Sequence, residues 1–272
     1  MIDRPPLSLA LTALRAHLGT HEPRKPFEHA ARTGFRLVTL DATAPGLRPR
    51  ELDRSARRDL AAIMRRLELG FAGLDLWIPA AHFHQPESAD RAVAAVLGAI
   101  DLAADLATLC PESASLRVES GLGLVSLSLP DDVPATLRDT LLTHADARSV
   151  QLADHTCPPK FDPTPTSLDP SPRPTLGVGL DPAACLLAGE NPAKLAARLG
   201  SRLVLARLSD ASEVSRVEPG LARTHEPGRL HDLAYVVALE TIHYARPIVL
   251  DLRGVPHPEH ACERVRHWWQ NA

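Results

Sequence analysis

Three observations predict an α/β fold, an eight-stranded parallel (β/α)8 barrel. Between Thr175 and Gly254 an apolar, strand-like run ends on an acidic residue three times: T-L-G-V-G-L-D closing at Asp181, R-L-V-L-A-R-L-S-D at Asp210, and P-I-V-L-D at Asp251. Segments with apolar residues at helix spacing, Asn191 to Leu199 and His231 to His243, separate these runs, which is the grammar of a parallel sheet covered by helices. The 272 residues are close to the roughly 250 of a single barrel of this kind, so one domain over 1–272 is expected.

In chain order, the apolar stretch Leu7 to Leu14 reads as a first strand, and Pro26 to Thr33 as a short helix with Pro26 suited to its first turn and Gly34 to its end. Phe35 to Leu40 is a strand closing on Asp41. Leu52 to Leu69 places Leu52, Ala56, Leu60, Ile63, Met64 and Leu67 on one face, an amphipathic covering helix whose arginines form the solvated side. Phe71 to Pro79 is the third strand with its exit turn, followed by His82, Phe83 and His84 on a loop. Ser88 to Leu109 is the longest helix, rich in Ala and Leu and ended by Cys110-Pro111. Leu122 to Leu129 is a strand, Pro134 to His144 a helix, and Val150 to Asp154 a fifth strand.

From Cys157 to Pro174 proline is too dense for helix hydrogen bonds or sheet pairing, so a Pro-rich loop is expected in place of the helix after the fifth strand. Pro258 to Trp269 is a last amphipathic helix, with Trp268 and Trp269 docking it on the barrel exterior.

The formal charge of −3 supplies no basic field for nucleic acid and no attraction to a membrane surface. No leader pattern opens the chain, and no run is read as a membrane span, so a cytoplasmic protein is expected. Cys110, Cys157, Cys185 and Cys262 lie far apart, without metal or redox spacing, and read as reduced, mostly buried thiols.

In parallel α/β folds the loops after the strands' carboxyl ends form the ligand-binding mouth. Asp154, Asp181, Asp210 and Asp251 end predicted strands, and a carboxylate there must be solvated, paired or metal-bound. Trp77 and His82, near the third strand's exit, are candidates for the wall of the site.

Four stretches resemble the xylose-isomerase-like TIM-barrel family of sugar and sugar-phosphate isomerases and epimerases: E-H-A-A-R-T-G-F-R-L-V-T-L-D at Glu28 to Asp41, the strand ending at Asp181, R-L-S-D at Arg207 to Asp210, and E-P-G-R-L-H-D followed by I-V-L-D. The resemblance implies a divalent cation (Mn, Mg, Co or Zn) held by Asp154, Asp181, Asp210 and Asp251, proton transfer by Asp154 or Asp251, and a small sugar or polyol as ligand. The sequence departs from the family in two places. Arg207 stands where an imidazole is usual, and Ala184 where a second one is.

An arginine is always protonated and ligates no metal, but it can neutralise neighbouring carboxylates. Arg207, with Arg253, would then pair with Asp181 and Asp251, and the metal site would be lost. Two missing imidazoles favour that reading over a retained oxygen-rich site. The functions in view are therefore a divergent sugar isomerase or epimerase, and a non-catalytic sugar-binding or interaction barrel with an arginine-neutralised former active site.

Overall fold

The computed structural model describes residues 4–18, 24–110, 123–130, 132–155, 176–220 and 227–271. Eight parallel strands close into a barrel in the order β1 (Leu7–Ala10), β10 (Ile248–Leu250), β7 (Leu203–Leu208), β6 (Gly177–Leu180), β5 (Val150–Asp154), β4 (Gly123–Leu127), β3 (Gly70–Leu76) and β2 (Leu37–Asp41). The covering helices include α2 (Arg24–Arg32), α3 (Arg54–Arg66), α5 (Pro86–Leu109), α6 (Ala135–Ala147), α8 (Pro192–Leu199), α9 (Asp232–Thr241) and α10 (Pro258–Asn271). The expected eightfold α/β barrel is present. The Pro-rich stretch expected after the fifth strand lies outside the described residues.

Sequence chemistry accounts for several boundaries. Asp53 caps α3, its carboxylate accepting from Ala56 N at 2.8 Å, and the helix buries Leu60, Ala61 and Met64. Asn191 caps α8 in the same way, accepting from Lys194 N at 3.0 Å. Gly34 takes a left-handed φ of 82° after α2, and its N–H bonds the Ala31 carbonyl.

Three local expectations are corrected. The apolar stretch from Leu7 is a strand for four residues only, and from Leu11 it winds into α1 (Leu11–His17). A continuous apolar run does not reveal its period, and Leu11 and Leu14, three apart, are both buried as a helix face requires. His82 to His84 belong to a single helical turn, α4 (Ala81–His84), not a loop. The run ending at Asp210 stops as a strand at Leu208; Asp210 opens a two-residue strand, β8 (Asp210–Ala211), antiparallel to β9 (Arg216–Val217). After Asp181 the chain turns at once into α7 (Pro182–Leu187), with proline in its first turn.

Helix α5 also corrects the reading that no run has span quality, because its length and mean hydropathy of 1.8 suit a membrane span. In the fold that apolarity is used internally: Val96, Ala99, Ile100, Ala103 and Leu106 are buried as the helix lies on β3 and β4. Cys110, Cys185 and Cys262 are buried, while Cys157 lies outside the described residues.

The chain ends meet where β1 pairs with β10, Leu7 opposite Ile248. Trp269 of α10 is buried and donates its indole N–H to the Pro5 carbonyl at 3.0 Å, with the Arg4 guanidinium 4.5 Å from the Trp269 ring centre and paired with Asp232 at 2.7 Å. The expected docking of the last helix is therefore present.

Candidate functional site

Alternation along each strand decides what enters the barrel. It puts Leu124 and Ser126, Ala153 and His155, Leu205 and Arg207, and Val249 and Asp251 in pairs on single faces. The lower members join Ala10 and Val204 in one buried apolar cluster, Ala10, Leu124, Ala153, Val204, Leu205 and Val249. The upper members form a polar layer at the mouth.

Arg207 anchors that layer and is wholly buried. Its Nη2 donates to Asp75 Oδ1 at 2.5 Å and to Ser126 Oγ at 2.8 Å, and its Nη1 to Asp75 Oδ2 and Asp251 Oδ2, both at 3.4 Å. Asp251 also receives Arg253, whose Nε lies 2.9 Å from Oδ1 and whose Nη2 lies 2.5 Å from Oδ2. Asp181 is paired with Arg216 and with Arg253 Nη2 at 3.4 Å, and it accepts from Ser209 Oγ at 2.7 Å. Trp77 closes one side, its ring centre 3.9 Å from the Arg253 guanidinium and 5.0 Å from that of Arg207. Three arginines thus meet three aspartates, and the cluster is formally neutral.

Burial alone would raise the Asp251 carboxyl, but the charges of Arg253 and Arg207, with the hydrogen bond from Arg253, outweigh it and hold Asp251 well below the usual carboxylate range. Desolvation alone would lower the Arg253 guanidinium, but the charge and hydrogen bond of Asp251, with the charges of Asp75 and Asp181, together outweigh it and raise it. His155, following β5, is buried edge-on to Trp77 at 5.7 Å, and neither ring nitrogen has a hydrogen-bond partner among the described residues. Desolvation, then the charges of Arg207 and Arg253, push its imidazole well below the ordinary value of 6.5; Asp251 opposes them and Arg216 adds to them. A side chain at Gly179 would overlap this ring, with Cβ 2.1 Å from His155 Nε2, so the glycine makes room for it.

A pH dependence follows from that neutral ring. Below about 6.5 the unfolded chain gains a proton at His155 that the folded chain refuses, so stability falls with pH by up to about 1.4 kcal/mol per unit until the depressed folded value is reached. Urea unfolding at pH 7.5, 6.5 and 5.5 is expected to show a slope about one proton shallower for His155→Phe. His29 is also lowered by burial, and its share cancels in the comparison. Equal slopes for the two proteins would show that His155 is not held neutral.

Of the residues singled out in the sequence, Asp181, Arg207, Asp251, Arg253 and Trp77 come together at the mouth. Asp154 does not share the inward face of Ala153 and His155, and it accepts from Leu129 N at 3.3 Å beside the β4 exit. Asp210 is buried away from the arginines, its Oδ1 accepting from the N–H groups of Ala211 at 2.7 Å and of Arg229 and Leu230 at 2.8 Å each. It pins a loop, and burial raises its carboxyl despite those donors. His82 is exposed on α4.

Sequence reasoning missed Asp75, Ser126, Ser209 and Arg216. Asp75 had a signal: it is a lone carboxylate within an apolar strand, two residues before Trp77. Arg216 had none, because S-E-V-S-R-V-E reads as a solvated loop.

The donor set does not fit a divalent cation. Each of Asp75, Asp181 and Asp251 is turned toward a guanidinium, Arg207 sits between two of them, and a cation among three fixed arginines would meet repulsion without gaining their nitrogens as ligands. Among the described residues no group of three or more His, Cys, Asp or Glu side chains is arranged to hold a metal.

The chain matches no protein-family model and no curated protein. Its fold is similar to that of a xylose isomerase domain protein from Planctomyces limnophilus, at 18% identity and a TM-score of 0.67 over 98% of this chain and 95% of that one. It is similar also to a sugar phosphate isomerase/epimerase from Parabacteroides distasonis, at 13% identity and 0.63 over 99% and 97%. A third similar structure is a xylose isomerase-like TIM barrel protein from Mycobacterium smegmatis in complex with magnesium, at 14% identity and 0.60 over 98% and 95%.

Proposed function

We propose that this chain, which has the barrel of the xylose-isomerase-like proteins, binds a small sugar or polyol at its mouth without a metal and without isomerising it. The observation that carries this reading is the Arg207 guanidinium, buried between Asp75 and Asp251. Moving a proton between adjacent sugar carbons needs a base with a pKa near the working pH and a cation or acid to polarise the carbonyl. Asp251 is held ionised by two arginines and is therefore a weak base. Asp75 is tied in two directions by Arg207.

What the mouth retains is suited to binding. It has guanidinium and hydroxyl donors, carboxylate acceptors, and in Trp77 an apolar face for a sugar ring. The sugar-directed names of similar barrels support this ligand class.

The test is metal analysis of protein purified without chelator, with thermal unfolding in EDTA and in added Mn, Mg, Co or Zn. Any metal that binds only the folded chain raises the midpoint by mass action. The expected result is no stoichiometric metal, no shift, and no conversion of aldoses, ketoses or their epimers followed by NMR. A stoichiometric metal whose removal lowers the midpoint, together with sugar conversion, would establish the isomerase reading instead.

A further inference from the structure

Beside the mouth a chamber of about 580 Å³ lies between the exits of β2 and β3 and the first half of α5. Small-molecule sites fall at roughly 300–1,000 Å³ with mainly apolar walls. Leu76, Ile78 and Pro79 supply one wall, and Ala92, Ala95 and Gly98 of α5 the opposite one. Trp77 is common to the chamber and the arginine cluster.

Charge is the distinguishing feature. Arg48, Arg50, Arg57 and Arg91 all line the chamber, and no aspartate or glutamate does. Two of the four are committed: Arg48 to the Thr43 carbonyl at 2.9 Å and Glu51 at 3.2 Å, and Arg57 to Asp105 at 2.6 Å and the Leu52 carbonyl at 3.1 Å. Arg50 and Arg91 are exposed and form no hydrogen bond or ion pair among the described residues, although the charge of Arg50 helps to lower the neighbouring Glu51 carboxyl. Two available guanidiniums therefore stand over an apolar chamber in a chain whose net charge is −3.

We propose that this chamber binds an organic anion, a carboxylate or phosphate monoester on an apolar body, with Arg50 and Arg91 holding the anionic group and the Trp77–Ala95 walls taking the body. A free sugar would leave most of its hydroxyls facing carbon, and an organic cation would be repelled. A bare inorganic anion would gain the charge and leave the apolar walls wet. The chamber shares Trp77 with the mouth, but none of Asp75, Asp181 and Asp251 lines it, and the proposal stands whether or not the mouth takes a polyol.

Isothermal titration calorimetry of the full chain tests this, with phenyl phosphate and phenylacetate as probes and benzyl alcohol and inorganic phosphate as controls. At least one aromatic anion is expected to bind ten-fold or more tightly than both controls, and the tighter of the two identifies the headgroup. Arg50→Ala with Arg91→Ala should weaken that probe ten-fold or more while leaving the melting midpoint in place. Ala95→Phe should block it by filling the chamber. If Ala95→Phe does not fold, the surface arginine pair decides the matter. Aromatic anions binding no better than benzyl alcohol, inorganic phosphate binding as well as they do, or undiminished binding by the double arginine variant would each overturn the proposal.

Discussion

Arg207→Met is expected to lower the unfolding free energy by about 3–5 kcal/mol, the range for removing one partner of a buried ion pair. The loss comes from what is left behind. Asp75 is fully buried, and without Arg207 it keeps, among the described residues, a 3.4 Å hydrogen bond from Thr12 and the more distant charge of Arg253; Ser126 loses its donor, and Asp251 must rely on Arg253 and Arg216. Because the cost is an uncompensated charge, removing the charge should restore stability. The double variant Arg207→Met with Asp75→Leu should recover most of the loss, as buried pairs exchanged for apolar residues of similar volume commonly do. Urea unfolding of the two variants decides this. A loss below about 1 kcal/mol for the single variant would mean that Asp75 is solvated and the mouth less enclosed than its burial indicates.

Asp210→Ala is expected to have the second large effect, about 3 kcal/mol or more, while Asp210→Asn should cost no more than about 1 kcal/mol. One carboxylate oxygen satisfies three backbone N–H groups, and each donor left without a partner costs about 1–3 kcal/mol when buried. An amide keeps an acceptor oxygen in nearly the same place. The loop has little slack, since a Cβ on Gly228 would stand 1.9 Å from Asp210 Oδ2. Thermal and urea unfolding of both variants check the comparison. Equal losses for Ala and Asn would show that the negative charge is essential and the acceptor secondary.

The barrel was legible because its signals repeat. Period-two strands, helix-spaced apolar faces and acidic strand ends reinforce one another around the chain, so errors at single boundaries, such as the early start of α1, leave the architecture intact. The site was legible only in part. Arg207 stood out because its chemistry is incompatible with the ligand that its position would imply, and Asp181, Asp251 and Arg253 followed from it.

Asp154 misled because ending a strand does not decide which face a side chain takes; one residue of alternation gives the interior to His155. Asp210 misled for a related reason, as the strand it was thought to close had already ended at Leu208. Arg216 reaches Asp181 from a short antiparallel ribbon, a long-range contact that no local pattern announces.

The clasp of Arg4, Pro5 and Trp269 over the β1–β10 seam bears on time as well as on energy. That seam joins residues separated by nearly the whole chain, and contacts of such sequence separation carry the largest loop-closure cost, so they form late. Interactions made after the folding transition state act on the rate at which the native state opens and leave the rate of folding nearly untouched. The clasp is thus expected to act as a kinetic latch, so that Trp269→Phe should speed unfolding while leaving the folding rate nearly unchanged.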